Sequence, residues 1–206
     1  MRNIFFKLSI LISLFSSLLF SNDLEDIKKN GELRHLGIPY ANFITGSGDG
    51  LDVELIKGFA KYLNVEYKYV PTTWATLFGD LTGQNAQNSE NGVRLLDKTP
   101  IRGDVIANGL TVLDWREKVV NFSTPTFPSG VWLIARSDSK LQPIIPSKSL
   151  SKDITLVKSY LSGKSVLAIE NTCLDPRLYD LKTTQANIIL QSQKIQINHI
   201  VIELSI

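Results

Sequence analysis

The feature that most constrains the fold is a regular alternation of predicted strands and helices in the first half of the chain. Apolar runs of strand length alternate with segments whose apolar residues recur at helical spacing, and glycines or polar residues separate them. The predicted strands span residues 32–38, 65–69 and 103–107, and the predicted helices span 52–63 and 77–81. Strands that are joined through helices run parallel, so this order predicts a parallel three-layer α/β unit.

Three local predictions accompany this unit. Asp52 is expected to act as the N-cap of the first long helix, because its carboxylate can accept from free backbone amides. The apolar face of that helix is predicted to be Leu55, Ile56, Phe59, Ala60 and Leu63. Residues 82–99 are polar and rich in Asn, Gln and Gly, which predicts a long surface loop.

A second α/β unit is predicted after Pro125. Residues 130–135, 165–169 and 187–190 have strand patterns, and residues 152–161 have a helical pattern with Ile154, Val157, Tyr160 and Leu161 facing inward. Residues 194–206 alternate apolar and polar side chains, which is typical of β structure. Trp115 and Trp132 are expected to pack internally. The predicted fold class is α/β in two lobes, each with a mainly parallel sheet flanked by helices.

The N-terminus indicates export. Arg2 and Lys7 begin an apolar run from Leu8 to Phe20, and the first acidic residue is Asp23. Residues 1–21 are therefore predicted to be a signal peptide cleaved near Ser21, with a retained membrane anchor as the alternative. Without Arg2 and Lys7, the 22 basic residues fall to 20 and equal the 20 acidic ones, so nothing favours nucleic acid as a partner.

The composition does not favour metal or nucleophile chemistry. Cys173 is the only cysteine, and His35 and His199 are the only histidines. No intramolecular disulfide is possible, no metal-ligand spacing occurs, and no Ser/His/Asp or Cys/His set is recognisable. Cys173 is expected to be half-buried and His35 to be structural. No cofactor or metal is predicted.

Residues 104–125 suggest a binding site for a small carboxylate. The strand ends at Asn108 and Gly109, where the backbone can turn and approach a ligand closely. Thr111 follows, as a ligand-binding hydroxyl or a helix N-cap, and Arg116 supplies a planar fork of donors that matches two carboxylate oxygens. Ligands dock at the carboxyl ends of strands in open α/β sheets.

Four stretches resemble the family 3 extracellular solute-binding proteins, the polar amino-acid receptors of bacterial ABC importers. These stretches are the lead-in 24–38, the Gly50-Leu51-Asp52-Val53-Glu54-Leu55 motif, residues 104–125, and Gly163-Lys164 with Asn171-Thr172. The resemblance covers about residues 24–190. It implies a periplasmic-binding-protein-like architecture with a first lobe at 22–127 and a partial second lobe at 128–206.

The resemblance also implies roles for individual residues. Thr111 and Gly109 would meet the ligand carboxylate through hydroxyl and backbone groups, and Arg116 would pair with it. Trp74 would be an aromatic residue that packs on the ligand, and Tyr40 or Phe43 would be the aromatic residue of the first loop. Thr172 would bind the carboxylate from the second lobe through its N–H or hydroxyl. Asn108, at the end of the strand, is a further candidate ligand-binding residue, although it stands where the family usually has a small residue. Leu113 and Trp115 also depart from the family pattern.

After Leu190 the family pattern stops. The expectation is a truncated or frame-shifted product, with a true short variant that pairs with another chain as the alternative. The expected function is capture of an amino acid or small carboxylate in the periplasm, without catalysis. A monomeric protein would deliver this ligand to an inner-membrane ABC permease. The alternatives are a cyclohexadienyl dehydratase-like enzyme, a lytic transglycosylase-associated module, a receptor sensor domain and a non-functional fragment.

Overall fold

The computed structural model describes residues 24–139, 141 and 144–191. The predicted signal peptide and the predicted strand at 194–206 lie outside these residues. Among the described residues, no helix has the length and apolar character needed to cross a bilayer. The elements in chain order are α1 Leu24–Asn30, β1 Glu32–Gly37, α2 Leu51–Leu63, β2 Glu66–Pro71, α3 Leu77–Thr82, β3 Gln84–Ser89, β4 Gly92–Lys98, β5 Val105–Ile106, α4 Asp114–Glu117, α5 Leu150–Ser159, β6 Ser165–Ala168, two 3-10 turns at Pro176–Tyr179 and Leu181–Thr184, and β7 Asn187–Leu190.

The N-terminal sheet is parallel, as predicted, with the strand order β2-β1-β5. In the register, His35 of β1 lies between Tyr69 of β2 and Val105 of β5. Because β1 is central and both neighbours run in the same direction, the carboxyl ends of β1 and β5 lie side by side. The loops that leave these two ends are thereby brought together at one edge of the sheet.

Helix α2 packs on this sheet through part of the predicted face: Ile56 and Ala60 lie in the core and Leu63 packs against it, but Leu55 and Phe59 do not. Val53, Ile56 and Ala60 are buried, whereas Leu55 and Phe59 are exposed by 44% and 41%. The apolar residues of α2 cover more of its circumference than one sheet contact can bury, so periodicity alone could not select the inward face. Ile56 and Ala60 form a core with two residues of the preceding elements, Ile27 and Leu33.

Residues 82–99 are not the predicted loop. They form an antiparallel hairpin of β3 and β4, which pairs Ser89 with Gly92 around a tight turn in which Gly92 has a φ of 99°. The strands carry mostly polar or exposed side chains, so the alternation of apolar and polar residues that identifies a half-buried strand is absent from the sequence.

The C-terminal unit contains the predicted parallel pair, β6 and β7. Its small core is built on Leu161 and Val166. Within α5, the predicted inward residue Ile154 is exposed, as is Tyr160 just beyond the helix, because this core is too small to cover them. The domain boundaries at residues 127 and 128 stay a prediction.

The predicted strand at 130–135 is wrong. These residues form no strand pairing with any described part of the chain, and their apolar side chains are largely exposed. Trp132, expected to pack internally, is 78% exposed. An apolar run becomes a strand only where a neighbouring strand supplies hydrogen bonds, and sequence patterning does not report that neighbour.

His35 is a buried structural residue, as predicted. It is fully buried, and its Nε2 lies 2.6 Å from the Ala107 carbonyl oxygen while its Nδ1 lies 3.0 Å from the Tyr67 hydroxyl. A carbonyl can only accept, so Nε2 carries the proton and Nδ1 accepts from Tyr67. Burial lowers the pKa of His35, and the Ala107 carbonyl and Asp52 offset this only in part.

We expect the protein to lose stability as the pH falls through about 6.5, the pKa of histidine in an unfolded chain. Below that pH the unfolded chain takes up a proton that folded His35 refuses, so its contribution to the free energy of unfolding falls by up to about 1.4 kcal/mol per pH unit. Urea unfolding at several pH values measures the slope. His35→Gln should flatten it, and an unchanged slope in that variant would contradict this explanation.

Candidate functional site

A cleft of about 820 Å³ opens at the carboxyl ends of β1 and β5. It extends from the loop after β1, across the end of β5 and the segment before α4, to the turn after β6. All eight residues that the sequence singled out line this cleft, namely Tyr40, Phe43, Trp74, Asn108, Gly109, Thr111, Arg116 and Thr172. The structure brings them together, and their roles in binding stay predictions.

Arg116 is the charged centre of the cleft. It lies on α4 with only 4% of its surface exposed, and its guanidinium packs 5.3 Å from the Trp115 ring. Nη1 donates to the Thr111 carbonyl at 2.9 Å, and Nη2 donates to the Asn171 carbonyl at 3.3 Å. Burial lowers the pKa of Arg116 to about 10, with Cys173 acting in the opposite direction, so the side chain is cationic at neutral pH.

The positive charge of Arg116 is not balanced by a carboxylate within ion-pair distance in the described part of the chain, and its buried Nε has no hydrogen-bond partner there. The two aspartates that line the cleft are engaged elsewhere: Asp52 accepts from Gly109, and Asp104 pairs with Arg34. A desolvated cation held by neutral carbonyls attracts an anion strongly, because few waters compete for it.

Gly109 shapes the cleft, but its amide is not free to meet a ligand as predicted. The residue has a φ of 68°, and a Cβ atom here would lie 2.6 Å from the Phe43 ring. Its N–H donates to Asp52 Oδ2 at 2.6 Å. The glycine therefore provides the turn and the close approach to Phe43, while its amide holds the loop in place.

Asp52 is the main residue that the sequence analysis assigned wrongly. It was predicted as an N-cap, whereas α2 begins at Leu51 with Gly50 as its N-cap. Asp52 is only 5% exposed, and its carboxylate accepts from the Gly109 amide, 57 positions away in the chain. The sequence shows that Asp52 belongs to the Gly-Leu-Asp motif. It does not show the contact with Gly109, because a contact between residues so far apart leaves no local sequence pattern.

We expect Asp52→Ala to loosen the Gly109 turn. It leaves a buried amide without an acceptor, which costs about 1.5–3 kcal/mol when the lost partner is charged. Urea unfolding should show this loss of stability, and calorimetry should show weaker ligand binding. Asp52→Asn keeps an acceptor and serves as the matched control. If both variants behave alike, the hydrogen bond does not position the loop.

Both threonines make contacts within the protein, and their predicted roles toward a ligand stay predictions. Thr111 gives its carbonyl to Arg116, and it is not an N-cap, since Leu113 precedes the first residue of α4. The Thr172 hydroxyl donates to the Ile169 carbonyl at 2.8 Å and accepts from the Leu174 amide at 3.0 Å. The Thr172 hydroxyl therefore stabilises a turn at the cleft wall, which leaves its N–H as the predicted carboxylate donor.

Aromatic rings form another wall of the cleft. Tyr40 stacks on Phe43 with centroids 6.1 Å apart, and Trp74 meets Tyr40 edge-on at 6.0 Å. Phe127 meets Phe43 edge-on, with ring centroids 5.6 Å apart. Phe127 also lines the cleft, and it was not predicted from the sequence. Phe127 follows a short polar segment at the end of the N-terminal unit, and no motif there distinguishes it from a surface aromatic.

The turn after β6 is held rigidly beside Arg116. The Asp175 carboxylate accepts from the Asn171 amide at 2.8 Å and from both Nε and Nη2 of Arg177. Burial opposes ionisation of Asp175, but these hydrogen bonds outweigh it and lower its pKa. Cys173 is half-buried, as predicted, and also lines the cleft.

Comparison with known proteins identifies an amino acid-binding relative. The chain is 28% identical over 144 residues to a glutamine-binding protein from Geobacillus stearothermophilus, and the alignment covers 66% of this chain and 48% of that protein. The chain thus spans about half the length of this curated relative. No protein-family model matches the chain.

Solved structures share the fold. An arginine-bound arginine-binding protein from T. maritima matches with a TM-score of 0.53 and 26% identity, over 82% of this chain and 67% of that one. An ancestral amino acid-binding protein, a precursor of cyclohexadienyl dehydratase, matches with a TM-score of 0.54 and 22% identity, over 82% of this chain and 63% of that one. The chain is therefore homologous to a glutamine-binding protein and has a periplasmic-binding-protein-like α/β fold.

Proposed function

We propose that this protein is a family 3 solute-binding protein that captures an amino acid or a similar small carboxylate in the cleft around Arg116. The observation that carries this proposal is the desolvated Arg116 cation, which faces a large cleft and has no carboxylate partner among the described residues. Similarity to glutamine- and arginine-binding proteins supports an amino acid as the ligand.

The ligand carboxylate would meet the guanidinium of Arg116. Within the described ranges Nε has no partner, and the contact from Nη2 to the Asn171 carbonyl is long at 3.3 Å. A carboxylate can therefore accept from Nε and replace the contact of Nη2. Two parallel N–H···O bonds of this kind are charge-assisted and directional. The Thr111 hydroxyl lies in the same wall and is a further candidate donor.

The aromatic wall would hold the rest of the ligand. The Tyr40 ring contacts both Phe43 and Trp74, and these contacts limit the rotamers of the three rings before a ligand arrives. Preformed aromatic surfaces bind carbon chains and ammonium groups with little loss of side-chain entropy.

Binding would be coupled to closure of the two units. Arg116 belongs to the N-terminal unit and Asn171 to the C-terminal unit, so their hydrogen bond already crosses the cleft. A ligand that contacts both walls favours the closed arrangement, as in hinge-closing receptors. Capture would take place in the periplasm, after export through the predicted signal peptide, with delivery to an ABC permease in the inner membrane.

The enzymatic alternative receives less support. Dehydration needs a carboxylic acid placed over the substrate, and the two acids of the cleft are already used by Gly109 and Arg34. The glutamine-binding relative and the arginine-binding structure that this chain resembles are both named for amino acid binding.

Isothermal titration calorimetry with each of the common amino acids tests the proposal. We expect saturable binding of at least one of them to the folded protein, with one ligand per chain. Circular dichroism on the same sample establishes that the protein is folded. A folded protein that binds none of the amino acids would refute the proposed function.

A further inference from the structure

Asn108 is the most unusual polar residue of the cleft. It follows β5 directly, lines the cleft and has no exposed surface. Neither its Oδ1 acceptor nor its Nδ2 donor has a hydrogen-bond partner among the described residues. Buried side-chain amides almost always have partners, so an amide with neither atom satisfied calls for an explanation outside the chain.

The position of Asn108 connects this explanation with the ligand. It precedes Gly109, whose amide is fixed by Asp52. It shares the cleft with Arg116, whose buried Nε likewise has no partner in the part of the chain that the structure describes. If the two units close around a ligand as proposed, such groups exchange water for the closed cleft. Closure is therefore penalised unless a ligand supplies the missing hydrogen bonds.

The hydrogen-bonding pattern of Asn108 indicates the chemistry of that ligand. The side chain presents one acceptor and one two-hydrogen donor in a single plane. A ligand carboxamide presents the complementary donor and acceptor in one plane and satisfies both atoms. An ammonium or guanidinium group offers donors alone and leaves Nδ2 unpaired, whereas a carboxylate leaves Oδ1 unpaired.

The charges of the cleft point in the same direction. A cationic side chain would need a free carboxylate, and both cleft aspartates are occupied, Asp52 by Gly109 and Asp104 by Arg34. We propose that Asn108 is the specificity-determining residue and that it selects an amino acid with a carboxamide side chain, which pairs with Asn108 while the α-carboxylate pairs with Arg116. This inference rests on the proposed function of the cleft.

Calorimetry with five ligands tests this selectivity in the unmodified protein. L-glutamine and L-asparagine carry the amide, L-methionine replaces it by an apolar group, L-glutamate by a carboxylate, and L-arginine adds a cation. We expect one of the two amides to bind roughly tenfold to a hundredfold more tightly than methionine, glutamate or arginine, since each buried unpaired group weakens binding by about that factor.

The variant Asn108→Leu tests the residue itself, because leucine has nearly the same volume and no polar atoms. We expect it to remove the preference for amides while the affinity for methionine holds or rises. Asn88→Leu, on β3 outside the lining of the cleft, is the matched control and should keep the preference. Circular dichroism of both variants verifies the fold.

The outcomes separate this inference from the proposed function. If amino acids bind but amides have no advantage in the unmodified protein, Asn108 is not a selector and the receptor function stands. The same conclusion follows if Asn108→Leu weakens all ligands equally. If no amino acid binds, both the receptor function and the role of Asn108 fail.

Discussion

Arg116→Met should lower the affinity for the amino acid ligand by roughly thirtyfold to several thousandfold, because removing one partner of a buried, hydrogen-bonded charge pair costs about 2–5 kcal/mol. The fold should tolerate the change well. Arg116 has no carboxylate partner among the described residues, so methionine removes a desolvated charge and keeps most of the packing against Trp115. Calorimetry measures the affinity, and thermal unfolding measures the stability.

The combination of lost binding and kept stability distinguishes a ligand-binding arginine from a structural one. Replacing a buried charge by an apolar side chain of similar volume is often neutral or stabilising. Arg94→Met, at an exposed position of β4, is the matched control and should change neither quantity. Unaltered affinity in Arg116→Met, or a large loss of stability without a change in affinity, would contradict the assigned role.

The second large effect is expected for Asp104→Ala, which should destabilise the N-terminal unit by about 2–4 kcal/mol. Removing one member of a buried ion pair leaves the charge of the other member unpaired. The Asp104 carboxylate is 4% exposed and accepts from three donors of Arg34: the backbone amide at 2.8 Å, Nε at 3.0 Å and Nη2 at 2.6 Å. These bonds connect β1 to the start of β5, and the cleft opens at the carboxyl end of β5.

Urea unfolding of Asp104→Ala provides the measurement. The matched control is Glu32→Ala, which breaks the exposed pair between Glu32 of β1 and Lys68 of β2 in the same sheet. Exposed pairs contribute less than about 1 kcal/mol, so the control should change little. Equal effects of the two substitutions would show that the Asp104 pair does not hold β5 in place.

The location of the site could be predicted from sequence because parallel α/β folding is strongly constrained. Once β1 and β5 are recognised as parallel neighbours, the residues that follow them must meet at one edge of the sheet. Tyr40 and Asn108 are 68 positions apart in the chain, yet both line the cleft for this reason. The order of elements thus located the cleft without knowledge of any contact.

The hydrogen bonds inside the site could not be predicted in the same way. Asp52 reads as an N-cap from its local neighbours, and only the folded chain shows that its carboxylate holds Gly109. Thr172 reads as a ligand donor, but its hydroxyl is used within its own turn. Residue type and spacing give the groups that reach the cleft, whereas tertiary contacts decide which of those groups remain free.

Errors in the fold have the same origin. The β3–β4 hairpin was predicted as a loop because its polar strands lack apolar alternation, and residues 130–135 were predicted as a strand because they form a short continuous apolar run. Strand formation depends on a pairing partner, which a local pattern does not contain. The inward face of α2 was likewise decided by the sheet it meets.

The central claim is that the ligand carboxylate pairs with Arg116, and nitrogen-15 NMR of the arginine Nε–H groups tests it most directly. The Arg116 signal is assigned as the one missing from the Arg116→Met spectrum. Because Nε has no partner among the described residues, we predict that ligand titration shifts this signal downfield as the new hydrogen bond forms, saturating with the calorimetric affinity. A ligand that binds while the Arg116 signal stays unchanged would contradict the account.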